Sequence, residues 1–130
     1  MDGEPRFLTR ELIDLLHRES LMQYGGSEGV RDQGGLESAI DAPKNIHLYE
    51  SGDIYEIAAG YAFHIAEAQA FVDGNKRTGI AAALIFLDIH GCEVFRINPM
   101  TFYDDMIRIA NHQASRQSLA ARMRELFSSK

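Results

Sequence analysis

Cysteine is almost absent: the 130-residue chain has one, Cys92. A lone thiol closes no intrachain disulfide, and no Cys/His cluster has zinc-ligand spacing, so neither a disulfide framework nor a structural metal is expected. An excess of positive charge is missing too. With 13 Lys and Arg against 19 Asp and Glu, the formal net charge is -6, and such a surface repels a nucleic-acid backbone. No apolar run is long enough for a membrane, since the longest, Ile80 to Ile89, is about half a span. The opening residues, Met-Asp-Gly-Glu-Pro-Arg, lack the charged-then-apolar order of a signal peptide. Internal repeats and low-complexity segments are also lacking. These absences leave a soluble, cytoplasmic, single domain over residues 1–130, with no nucleic-acid or membrane partner. Its 45% hydrophobic content is enough for a real core.

What is present has helical period. Thr9 is placed as an N-cap with Glu11 in the first turn, and Leu12, Leu15, Leu16, Glu19 and Met22 continue the face until Gly25-Gly26 stops the run. Gly25 to Gly35 reads as a surface loop, Leu36 to Ala42 as a short helix ended by Pro43, and a second loop continues to about Gly52. Asp53 with Glu56 resembles a capping box before a face of Ile54, Ile57, Ala58, Tyr61, Ala62, Ile65 and Ala66. Thr78 to His90 is apolar nearly all round, the mark of a central helix buried on most sides, and Gly91 stops it. Cys92 to Ile97 alternates weakly and suggests a short extended piece or hairpin arm. Asn98-Pro99 opens a helix to about Asn111, and Ser115 caps a last one with Leu119, Met123, Leu126 and Phe127. The fold class is all-α, a compact helical bundle around a central buried helix.

Between two of these helices stands Phe71-Val-Asp-Gly-Asn-Lys-Arg-Thr78. A loop that ends at a helix N-terminus offers unpaired N–H groups and the positive end of the helix dipole, so it suits an anion. Gly74 lets backbone approach phosphate oxygens, and Asn75 is free to cap the helix or donate its amide. Lys76 and Arg77 add charge, the arginine fork matching two phosphate oxygens at once. Two cations at a helix start are disfavoured by the dipole, a local conflict that a bound anion relieves. Asp73 is the natural Mg²⁺ ligand, because Mg²⁺ is usually held by one or two carboxylates plus substrate phosphates. Phe71 reads as a core anchor. His17, His47, His90 and His112 share no spacing and default to surface or capping roles, and Glu37 and Glu67 to exposed helix carboxylates.

The segment Gln69 to Gly79 resembles the Fic/Doc signature, His-x-Phe-x-Asp-Gly-Asn, then Gly or Lys, then Arg. Gly25-Gly26 through Val30-Arg31-Asp32, Gly34-Gly35-Leu36-Glu37-Ser38-Ala39 and Ala62-Phe63-His64-Ile65-Ala66 are also similar to its death-on-curing branch, so the resemblance covers most of the chain. Lys76 is typical of that branch, where Fic AMP-transferases have glycine, and Ile80 stands where many of those carry a second arginine. The resemblance implies a Fic/Doc-type helical bundle and a toxin of a toxin–antitoxin pair. Such a toxin moves phosphate from ATP to a hydroxyl of a translation elongation factor. It implies Asp73 on Mg²⁺, an anion nest of Gly74, Asn75 and Lys76, and Arg77 on a terminal phosphate. It also implies a Phd-like antitoxin over the groove leading to the site, with contacts expected on the first loop and first helix.

One residue departs from the signature. The family's histidine takes a proton from the attacking hydroxyl, and this chain has Gln69 there, which does not titrate near neutral pH. Nucleotide binding is expected to survive this change and turnover to suffer. The chain reads as a member that has lost catalysis, one that uses another base, or a variant made harmless. His64, five residues earlier and so about 140° round a helix, faces elsewhere. The alternatives to a toxin kinase are a pseudoenzyme that binds nucleotide or antitoxin, and a Fic-type AMP-transferase.

Overall fold

The computed structural model describes residues 4–128. Among them are six α-helices: α1 (Arg10–Tyr24), α2 (Gln33–Glu50), α3 (Ile54–Ala68), α4 (Asn75–Ile89), α5 (Tyr103–Ala110) and α6 (Arg116–Phe127). Two short 3-10 turns, Val94–Arg96 and Pro99–Phe102, lie between α4 and α5. The chain is all-α, as its periodicity predicts.

Most helix starts are set by side chains. Thr9 Oγ1 accepts from the Leu12 N–H to open α1, and Asp32 accepts from the Gly35 N–H to open α2. Asp53 and Glu56 form the expected reciprocal capping box at α3, with hydrogen bonds of 2.9 and 2.8 Å. Ser115 does the same for α6 through Ser118.

The second helix departs from the sequence reading. The expected short helix over Leu36 to Ala42 and the loop after Pro43 are instead one continuous helix of 18 residues with Pro43 inside it. An interior proline costs about 3 kcal/mol because it loses a hydrogen bond and crowds the preceding turn. Packing outweighs this cost. Leu36, Ala39, Ile40, Pro43 and Ile46 are all buried along one stripe, and full burial of one such side chain contributes about 1.5–3 kcal/mol. Pro43 and Ile46 seat against Gly60 of α3, where a Cβ would run into Ile46.

Helix α3 lies at the centre, packed on α4, α2 and α6. Its Ala58, Ala59, Tyr61, Ala62 and Ile65 are fully buried, as are Ala82, Ala83, Phe86 and Leu87 of α4. The two helices touch most closely at Gly79, where a Cβ would stand 2.7 Å from the Ala62 carbonyl oxygen. The stretch Cys92 to Ile97 makes no hairpin arm. It has no strand to pair with among the described residues and closes on itself as a 3-10 turn, the Ile97 N–H donating to the Val94 carbonyl at 3.1 Å. The only β pairing among the described residues is an isolated bridge between Val30 and Phe71. No helix among them is long and apolar enough to cross a membrane.

Candidate functional site

The loop from Gln69 to Gly74 links the two central helices, so the core fixes both its ends. Helix α3 stops at Gln69, which takes the left-handed conformation at φ 48°. Ala70 and Phe71 then turn inward at 0% and 1% exposure. Burying them orients the rest of the loop. A second loop braces this one: the Arg31 N–H donates to the Ala70 carbonyl at 2.8 Å and the Val72 N–H to the Gly29 carbonyl at 3.0 Å. The glycine-rich stretch after α1 is therefore tied to the motif.

Asn75 neither caps α4 nor keeps a free amide. Its Oδ1 accepts from the Phe71 N–H at 3.0 Å and its Nδ2 donates to the Phe71 carbonyl at 2.9 Å. The cap position belongs to Gly74, at φ 80°, and no side chain caps this helix. The helix thus begins three residues earlier than the expected Thr78. Its first turn lines a cleft of about 350 Å³, together with Arg31, Gln69, Asp73, Gly74 and Tyr103, among others.

Asp73, Lys76 and Arg77 come together here as the sequence suggested, and Arg31 joins them. Asp73 Oδ2 accepts from the Ser27 N–H at 2.8 Å, leaving Oδ1 without a partner among the described residues. Arg31 Nε donates to the Gln69 carbonyl at 3.0 Å. Arg77 lies along α1, its guanidinium 5.1 Å from the Tyr24 ring centre, with long contacts of 3.4 Å to Ser20 Oγ and the Gly25 carbonyl. None of the three cations has a carboxylate partner among the described residues. A cleft with an uncapped helix start, three such cations and one half-free carboxylate can take a polyphosphate with a divalent cation. No group of three or more His, Cys, Asp or Glu that could hold a metal gathers among the described residues. A cation on Asp73 would therefore complete its shell with phosphate or water oxygens.

His64 does not line this cleft, and burial, with Arg116 nearby, pushes its pKa below the ordinary 6.5. His17 is the residue whose surface assignment is overturned. It is buried at 5% exposure, and its Nε2 lies 2.7 Å from the Asp73 carbonyl oxygen. Its ring stacks on Phe71 at 3.8 Å and 11°. Its register with Ile13 and Ser20, the other buried residues of α1, was the signal available in the sequence.

A second cavity of about 350 Å³ runs between α1, α4 and the 3-10 turns, walled chiefly by Leu16, Ile80, Leu84, Val94, Phe95 and Met100. It is overwhelmingly apolar, and Phe95 on its rim is 81% exposed. Arg77 lines both this groove and the polar cleft.

The order of these parts, from the α3 end through Asp73-Gly74-Asn75 to α4, falls within residues 7–87, which match the model of the Fic/DOC family. The chain belongs to the Fic/Doc family. It is similar to the protein kinase doc of Escherichia phage P1, at 32% identity over 95% of this chain and 98% of that protein. It is also similar to Toxin Doc of Mycolicibacterium smegmatis, at 32% identity over 90% of each chain. Coverage is nearly end to end, and both relatives stand in the Doc branch of the Fic/Doc family. The chain is accordingly a Doc-type toxin homologue.

Proposed function

We propose that this Doc-type chain binds Mg²⁺·ATP in the cleft between α3 and α4 and transfers the γ-phosphate to a hydroxyl of a translation elongation factor, at a rate held low by Gln69. The observation that carries this reading is the start of α4, which no side chain caps and which faces Arg31, Lys76 and Arg77. The name of the phage relative, a protein kinase, favours phosphate over AMP. So do Lys76 and Ile80 at the two positions where the Fic AMP-transferases differ.

In this reading the backbone N–H groups of Gly74, Asn75 and Lys76 hold the phosphates, and Arg77 binds the terminal one after leaving Tyr24. Asp73 would hold Mg²⁺ through its free oxygen, and the cation would supply neutralisation of the charge that builds up on the transferring group. The substrate oxygen attacks the γ-phosphorus, the bond to the bridging oxygen breaks, ADP leaves, and the hydroxyl proton passes to solvent water. Gln69 can hold that hydroxyl by a hydrogen bond but cannot take its proton. Loss of a general base typically costs about 10²–10⁴ in rate. Positioning and electrostatics, which supply most of the catalysis in phosphoryl transfer, stay in place.

The apolar groove is the place for the Phd-like antitoxin. A segment that folds into an amphipathic helix would bury its apolar face against Leu16, Leu84 and Phe95. Because Arg77 borders both cavities, such a partner reaches the edge of the phosphate site.

The test is a cell extract with ATP labelled at the α or the γ phosphate, given this protein or its Gln69→His form. Label from γ-ATP on a protein band, strong only in the His form, is the expected result. Label from α-ATP assigns AMP transfer instead. No label from either form, with Mg²⁺·ATP still bound, leaves a nucleotide-binding pseudoenzyme.

A further inference from the structure

We propose that His17 is a positioning residue: it latches the Asp73–Gly74 peptide with its carbonyl turned into α1, so that the Gly74 N–H faces the phosphate cleft. This rests on the reading of that cleft as a phosphate site. The Asp73 carbonyl accepts from His17 Nε2 at 2.7 Å, which fixes the proton on that nitrogen because a carbonyl oxygen only accepts. The peptide is planar and trans, so its N–H points opposite to its C=O. A carbonyl drawn toward α1 therefore sends the Gly74 N–H the other way, toward the cleft that Arg31 and Lys76 line.

This peptide needs a latch because its second residue is glycine. Gly74 sits at φ 80°, and glycine adopts positive and negative φ with similar ease. A flip of the preceding peptide therefore meets little local resistance. Flipped, it would aim a carbonyl dipole at the anion and remove one donor from the nest of N–H groups. Asp73 is otherwise tied through its carboxylate to the exposed Ser27 backbone, which holds the side chain rather than the peptide plane. His17 itself cannot swing away, since its ring is pinned face to face on the buried Phe71. The contact fixes the direction of the peptide and, through it, where the Asp73 carboxylate begins.

Two substitutions separate the hydrogen bond from the stack. His17→Phe keeps a ring against Phe71 and removes the donor, whereas His17→Gln places an amide N–H at similar reach and removes the ring. We expect Mg²⁺·ATP affinity, measured by titration calorimetry, to fall about tenfold in His17→Phe, the scale of one lost hydrogen bond near a charged group. His17→Gln should stay within about threefold of the parent. The reverse order would show that the ring matters only as packing and would overturn the latch.

The Gly74 amide signal in ¹H–¹⁵N spectra of the ligand-free protein gives an independent reading. It should shift or broaden in His17→Phe and return in His17→Gln. If the parent bound no Mg²⁺·ATP, the phosphate reading would fail, yet this amide comparison would still decide the latch. An unchanged Gly74 signal in His17→Phe would overturn it. The unsubstituted protein supplies a check that needs no variant: imidazole ¹⁵N spectra should show His17 protonated at Nε2, and a bare Nε2 would overturn the proposal.

Discussion

Asn75 grips Phe71 with both ends of its amide, accepting from the N–H at 3.0 Å and donating to the carbonyl at 2.9 Å. The pair closes the loop across four residues and holds the buried ring in line with the start of α4. An ionised aspartate at this position accepts from the Phe71 N–H but repels its carbonyl. Asn75→Asp should lower unfolding free energy by about 1–3 kcal/mol, the cost of a buried polar group left unpaired. Urea denaturation measures this directly, and an unchanged midpoint would show that the loop does not depend on the pair.

Gly79 lets α3 and α4 approach until a Cβ would lie 2.7 Å from the Ala62 carbonyl oxygen and 3.2 Å from its Cα. Backbone cannot rotate aside as a side chain can. Gly79→Ala gains helix propensity of about 1 kcal/mol, but the overpacking costs about 1–3 kcal/mol or more. Calorimetry should show a lower melting temperature. A stabilised variant would mean that the helices part without penalty.

Tyr61 is fully buried, and its hydroxyl accepts from the Leu8 N–H at 2.8 Å, tying the segment before α1 to the core. Burial pushes the phenol up to about 12, so it stays neutral across the working pH range. Tyr61→Phe leaves a buried backbone N–H unpaired at a cost of about 1–3 kcal/mol. Equal unfolding curves for the variant and the parent would refute that role.

His64 sets a pH dependence. Burial, assisted by Arg116, holds its folded pKa below the ordinary 6.5, so the unfolded chain binds the proton more readily. Stability from this residue is therefore complete above about pH 6.5 and is lost as pH falls toward the folded pKa. His64→Asn should show a smaller drop in melting temperature between pH 7.5 and pH 5.5 than the parent. A drop of the same size would remove His64 as its source.

The helices whose caps are local, α1 with Thr9, α3 with Asp53 and Glu56, and α6 with Ser115, were legible because the signal lies within one turn. The residues of the candidate cleft from Gln69 to Arg77 were legible too, being contiguous. Pro43 misled because its penalty is local whereas the compensating burial against Gly60 comes from another helix. Cys92 to Ile97 misled because alternation makes a strand only when a partner strand exists. His17 and Arg31 reach the motif from the first helix and the loop after it, which no spacing rule connects to Asp73. The apolar groove was hidden for the same reason, since α1, α4 and the turns after it build it jointly.

Gln69 ends α3 in the left-handed conformation, and its side chain is exposed, with no hydrogen bond among the described residues. No core side chain holds the amide among the described residues, and histidine is among the side chains that enter this backbone region more readily than most. In the genetic code, glutamine and histidine share their first two bases and differ only at the third. The change that would put an imidazole at this position is therefore a single copying error, and the fold asks for no second mutation to accommodate it.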